Sequence, residues 1–286
     1  MSDKLQSTSS PVFALPDIAS LTLCGRDCIA FAQAQFMSDV AALADGQWQW
    51  SGWLTPKGRV IALFAVLRHS AERLDLIVLD ADVAALATSL KRYVFRSKVS
   101  IEVRGDVSAL GRFAAPSAAL GATAAIDASG IELDLGTPAG PRTLVLREAD
   151  AGVADDPDAR LRWRAFDIAH GLPRLGEDQR EQWTPQQLSL ERQRAFSVAK
   201  GCYPGQEIVA RTHFLGQAKR GLAALRGAPA AIPGEDVRAG EQALGKVVSV
   251  AGDLLLAVLP LERPDATVRV AGVDVVDTPL LDGLAR

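Results

Sequence analysis

Cysteine is scarce in this 286-residue chain: Cys24, Cys28 and Cys202 are the only three. An odd and small number excludes the disulfide framework that staples small secreted domains. Cys24 and Cys28 have no second pair at zinc-site spacing, so they read as core or surface residues and no bound metal is expected. Long apolar runs are also missing. None approaches the ~18 to 20 residues with which a helix crosses a bilayer. Residues 1–11 are polar and serine-rich, without the apolar stretch of a secretory signal, and read as a disordered leader. No P-loop, dinucleotide-binding glycine fingerprint, GxSxG elbow or HExxH sequence occurs. Lysine is rare, seven against 24 arginines, and the formal charge is only −3. Such a molecule is not an electrostatic nucleic-acid binder as a whole, so an RNA contact has to come from a local basic patch. The expectation is a reduced, cytoplasmic protein without membrane contact.

The apolar fraction of 48% and charged fraction of 23% are those of an ordinary globular protein. Strand patterns occur at 18–23, 48–54, 60–67, 73–79 and 99–103. Asp27 is placed to cap a helix running to about Phe36. Leu86, Leu90, Tyr93 and Val94 share one face of a helix over 83–93. Residues 104–156 are rich in Ala, Gly, Pro and Asp, with short strands at 131–135 and 143–146. Asp156-Pro157 then opens a helix that Gly171 ends. Leu161, Ala165, Ile168 and Leu172 form its apolar face; Trp163, Asp167 and His170 lie on another. From Lys219 onward, short strands at 222–225, 246–250, 254–259, 267–270 and 273–277 predict a small antiparallel barrel.

The densest chemistry lies in Lys200-Gly201-Cys202-Tyr203-Pro204-Gly205-Gln206-Glu207-Ile208-Val209-Ala210-Arg211. Pro204-Gly205 suits the centre of a type II turn. A helix starting at Gln206, with Lys200 nearby, would favour a thiolate at Cys202. Thr55-Pro56-Lys57-Gly58-Arg59 sets two cations at a glycine turn, fit for an anion or for a solvated hairpin tip. Arg92-Tyr93-Val94-Phe95-Arg96-Ser97-Lys98 is a basic segment with aromatics, or simply cations at a helix C-terminus. Trp163 is able to stack on a flat heterocycle or to fill the core.

The run 200–211 resembles the signature of the YgfZ-type folate-binding proteins, relatives of the glycine-cleavage T-protein. Gly25 to Val40, Pro56-Lys57-Gly58-Arg59, Arg92 to Val99, Trp163 to Pro173 and Gly216 to Arg220 are similar to further family blocks, in the same order. The resemblance implies an α+β fold. Two interlocked α+β units and a small C-terminal antiparallel β-barrel would surround a central cavity. Residues 12–215 would form the folate-binding region, with an inner unit at 45–104, and 216–286 the barrel. It further implies tetrahydrofolate, or another folate, held by Trp163, Asp167, Tyr203, Gln206, Glu207, Arg211, Lys57 and Arg59, with Cys202 as functional thiol. Partners would be iron–sulfur assembly or client proteins, with a weak RNA contact.

Two departures bear on chemistry. The family's helix carries a glutamate where this chain has Ala169, so Asp167 or Glu207 would have to serve the pterin, or folate binds weakly. T-proteins carry an aspartate after the first glycine turn, whereas Gly58 to Leu63 holds no carboxylate. Losing a positioned acid or base costs ~10²- to 10⁴-fold in rate, so no aminomethyl transfer is expected. The chain thus reads as a tetrahydrofolate-binding accessory protein supporting iron–sulfur assembly or repair and iron–sulfur-dependent tRNA modification. The alternatives are a folate-dependent one-carbon transferase using Asp167, His170 or Glu207, and an RNA-binding module using Arg92, Arg96 and Lys98.

Overall fold

A computed structural model describes residues 11–149, 152–153, 155–216, 218–263 and 266–286. Apart from Pro11, the leader read at 1–11 lies outside the described residues. In chain order the strands and α-helices are β1 (Phe13–Ala14), β2 (Ile18–Cys24), α1 (Cys28–Gln35), β3 (Trp48–Leu54), β4 (Val60–Ser70), β5 (Arg73–Leu79), α2 (Val83–Lys91), β6 (Ser100–Val103), β7 (Val107–Arg112), β8 (Ala125–Asp127), β9 (Gly130–Asp134) and β10 (Thr143–Glu148). There follow α3 (Pro157–Ala169), α4 (Gln206–Phe214), β11 (Arg220–Arg226), β12 (Asp236–Ala239), β13 (Gln242–Ala251), β14 (Leu254–Pro260), β15 (Val268–Val270) and β16 (Val273–Thr278).

The strands form two five-stranded sheets, ordered β3-β4-β5-β2-β6 and β1-β7-β10-β9-β8, and a closed antiparallel barrel, β11-β14-β13-β12-β15-β16. The fold is α+β, with the expected C-terminal barrel. The first sheet draws β2, from outside residues 45–104, in beside β5. Alternation along its strands gives two cores. On β4, Ala62, Phe64 and Val66 turn to a cluster with Phe31 of α1 and Leu86 and Leu90 of α2. Leu63, Ala65 and Leu67 turn the other way, into a central core shared with Leu133 and Leu144 of the second sheet and Trp163 of α3. The barrel encloses a third core around Leu255, Ala257 and Val237.

Local chemistry explains the helix ends. Asp156 accepts from Ala159 N at 2.9 Å, Pro157 occupies the first turn, and Gly171 leaves at φ +68°. Asp27 flanks α1 without capping it; its carboxylate accepts from Lys98 N at 2.7 Å instead, tying the helix start to the entry of β6. The apolar face read for α3 is rotated. Leu161 is 45% exposed, whereas Trp163, Asp167 and Ile168 are buried. An aspartate sits on the buried face because two arginines neutralise it, as described below. Among the described residues no helix is long and apolar enough to cross a membrane.

Candidate functional site

Two features position the loop before α4. Gly205 adopts φ +78° and ψ 2°, the third position of a type II turn. A Cβ there would lie 2.6 Å from Gly58 Cα and 2.7 Å from the Thr55 carbonyl oxygen. The 55–58 and 203–206 turns therefore interlock backbone to backbone, and only glycine permits it. This contact brings exposed Lys57 beside the start of α4. Arg59 turns elsewhere and donates to the Gln182 carbonyl at 2.8 Å and to Gln187 at 3.1 Å.

The other anchor is Lys200. Its ammonium is buried and donates to the Phe36 and Ser38 carbonyls at 2.6 and 2.8 Å. Burial pushes its pKa down to about 8, with Asp39 opposing. The cation that the sequence sets beside Cys202 thus serves first as a clamp on the α1–β3 connection. Tyr203 is also buried. Its hydroxyl donates to the Ser197 carbonyl at 3.1 Å, its ring lies 5.0 Å from Lys200 Nζ, and burial pushes its pKa up to about 12. Gln206 donates to the Lys200 carbonyl at 3.0 Å. Within this framework Cys202 is an exposed, free thiol, and Glu207 and Arg211 on α4 are exposed as well. Tyr93 meets Trp53 edge-on at 5.7 Å, and Trp53 bridges to Phe36. These contacts join the exposed Arg92, Phe95 and Arg96 segment to the same neighbourhood.

Trp163 and Asp167 belong to a different place. They line a closed cavity of about 10 Å³ between the two sheets, and no residue of 200–211 contributes to it. That is roughly the space of one water. Asp167 Oδ1 meets Arg142 at 2.7 Å and Oδ2 meets Arg174 at 2.9 Å. Arg142 is fully buried, and its guanidinium lies 4.2 Å from the centroids of both Trp163 and Phe166. Burial lowers its pKa against the opposing pull of Asp167. Arg174 also pairs with Asp80 and Asp17. Burial alone would lower its pKa, but the three carboxylates raise it. The rest of the lining is apolar, with Trp50 held by a 2.8 Å bond to the Leu284 carbonyl. A bicyclic pterin does not fit this closed centre, and both Asp167 oxygens are already engaged by arginines.

His170 is equally committed. Its Nδ1 donates to the Phe166 carbonyl at 2.7 Å, so the Thr137 hydroxyl donates to Nε2 at 2.9 Å. Burial lowers its pKa, with only a partial offset from the Phe166 carbonyl. Arg142, Arg174 and Asp80 had no signal in local sequence. Arg142 stands in an Ala/Gly/Pro-rich stretch, and the partners of Arg174 lie up to 157 residues away.

No protein-family model matches the chain. It is 32% identical over 251 residues to the tRNA-modifying protein YgfZ of Klebsiella pneumoniae, covering 79% of this chain and 75% of that one. With the tRNA-modifying protein YgfZ of Cronobacter sakazakii it shares 30% over 273 residues, covering 86% and 80%. The structure resembles the glycine cleavage system aminomethyltransferase T from Bartonella henselae. The TM-score is 0.73 at 14% identity, over 95% of this chain and 86% of that one. This second likeness concerns the fold alone.

Proposed function

The chain belongs to the YgfZ family of tRNA-modifying proteins, and from that premise we propose an accessory protein that supports iron–sulfur-dependent tRNA modification through the Cys202 thiol. Tetrahydrofolate is part of this reading as its small-molecule ligand. The observation that carries it is the contrast within one loop. Lys200, Tyr203, Gly205 and Gln206 are each pinned by a defined contact, while Cys202 between them stays exposed. A rigid loop presenting a free thiol suits hand-over to a partner protein better than closed-pocket catalysis. The exposed cations Arg92, Arg96 and Lys98 are the patch we assign to a weak RNA contact. The transferase alternative is less favoured, because Asp167 and His170, two of its three candidate groups, have every polar atom engaged.

The test is complementation. In cells lacking the protein, Cys202→Ser is expected to abolish rescue of iron–sulfur-dependent tRNA modification while the protein remains abundant and folded. Full rescue by the serine variant would remove the thiol from the mechanism.

A further inference from the structure

The groove between the two sheets does not end at the closed centre. Four residues that line the centre have a neighbour two positions along the same strand that lines a second, open space. Ile18 gives way to Ser20, Ile77 to Asp75, Leu133 to Ile131, and Leu144 to Leu146. A shift of two keeps a side chain on the same face of its strand, so this is the outer length of one groove. There it widens to a cleft of about 730 Å³, in the range of roughly 300–1,000 Å³ that small-molecule sites occupy.

Its two walls differ. The second sheet supplies an apolar floor from Ile126, Ile131 and Leu146, while the first sheet supplies His69, Arg73 and Asp75, with Arg104 at the rim. Asp75 is only 1% exposed. Its Oδ1 accepts from Thr22 at 2.7 Å and from Arg73 at 3.1 Å, and its Oδ2 faces His69 Nδ1 at 3.2 Å. A carboxylate only accepts, so Nδ1 carries the proton, and in the neutral imidazole Nε2 then keeps its lone pair. Nε2 has no hydrogen-bond partner among the described residues. Thr22 on β2 is paired directly to Asp75 on β5, and on β4 the residue opposite Asp75 is Leu67, with His69 two residues further along, at the irregularity between Arg68 and Ser70. The result is an imidazole oriented by a buried carboxylate beside an apolar floor. Arg104 is held at the rim by Asp106, 64% exposed, in a surface pair of the kind an incoming carboxylate can displace. Asp127, also at the rim, is turned onto its own Ser129.

We propose that this outer cleft is a binding site for a small carboxylate with a flat apolar body and an N–H group. Arg104 and Arg73 receive the carboxylate, His69 Nε2 accepts the N–H, and the flat body lies on Ile131 and Leu146. The aminobenzoyl-glutamate end of a folate has this chemistry. For that identity alone the proposal rests on the folate reading above. The cleft would then take the ligand that the closed centre refuses.

The chain has three histidines, His69, His170 and His213, so imidazole NMR of histidine-labelled protein gives a three-site readout, with His69→Gln assigning one signal. Tetrahydrofolate and p-aminobenzoyl-glutamate are titrated separately into the full chain. Expected is a saturable shift of the His69 signal with His170 unmoved, and binding weakened about tenfold or more by Arg104→Ala, the loss typical of one charge-assisted hydrogen bond. If the fragment moves His69 but tetrahydrofolate does not bind, the cleft stands and the folate reading falls. Should tetrahydrofolate bind without moving His69, and equally well to His69→Gln and Arg104→Ala, the cleft proposal is overturned and the folate reading survives. No shift of His69 with either compound at millimolar concentration also overturns it.

Discussion

Removing the Asp167 carboxylate separates a scaffold role from a ligand role at the centre. In Asp167→Ala, Arg174 keeps Asp80 and Asp17. Arg142 keeps the Trp163 carbonyl at 3.1 Å and the faces of Trp163 and Phe166 but loses its carboxylate, and its Nε and Nη2 already lack hydrogen-bond partners among the described residues. The whole loss therefore falls on a guanidinium with 0% exposure. Breaking a buried ion pair from one side costs about 3–5 kcal/mol, and the small central cavity has space for roughly one compensating water. Urea unfolding followed by tryptophan fluorescence reads this directly, since Trp48, Trp50 and Trp163 all lie in the central core. Asp167→Ala should fall in that range, and Asp167→Ala combined with Arg142→Met should recover at least half of the loss, because the orphaned charge is then gone. A single variant within about 1 kcal/mol of the wild type, below the usual cost of a buried unpaired charge, would refute the reasoning. It would mark Asp167 as a group held in reserve for a ligand.

Other consequences follow from single contacts. Gly205→Ala should destabilise by more than about 1 kcal/mol, the strain of a left-handed non-glycine residue, because its Cβ meets the 55–58 turn; limited proteolysis of the 200–216 segment should accelerate, and an unchanged digestion rate would contradict the interlock. Burial depresses the His170 pKa, so the unfolded chain takes up a proton that the folded chain refuses. Stability should therefore decline as pH falls below about 6.5, and His170→Gln should flatten that slope in thermal melts between pH 7.5 and 5.5. Burial holds the Lys200 pKa down to about 8 in the folded chain, against the ordinary 10.5 of an exposed lysine. By the same linkage its contribution raises stability between those two pH values, an increment that Lys200→Met should lack. A thiol reagent should find one fast cysteine, Cys202, with Cys24 and Cys28 slower because burial raises both their pKa values.

How much of this was legible in the sequence depends on the range of the forces involved. The 48–54 and 73–79 strands, the Asp156-Pro157 helix start and the Gly171 exit appear where local pattern put them, because side-chain alternation, capping and φ restrictions act within a few residues. Strands β1, β7, β8 and β12 carry little local signal. They are short, and the last three mix Ser, Gly, Asp and Arg among few apolar residues, so their strand character comes from partners such as β10 and β13. The barrel was legible because its repeated short strands are separated by glycine turns.

The misread face of α3 shows why the centre was harder. Helical periodicity ranks residues by hydropathy, and on that scale Asp167 belongs outside and Leu161 inside. The fold reverses them because Arg142 and Arg174, brought in from β10's approach and from beyond the helix end, neutralise the aspartate, while Arg142 also covers Trp163. Hydropathy cannot register a partner that arrives through tertiary contact, so the same three residues that look like a ligand-stacking face in sequence are, in the fold, parts of a sealed core. The polar break at Thr22, His69 and Asp75 has the opposite character. Each residue alone is an unremarkable interruption in a strand, and only the pairing of β2, β4 and β5 brings Thr22 behind Asp75 and Asp75 beside His69 in an open groove. A site built by strand register is invisible to a linear motif. The motif at 200–211 carries the family resemblance and the proposed thiol, whereas the proposed ligand cleft lies where the two sheets part.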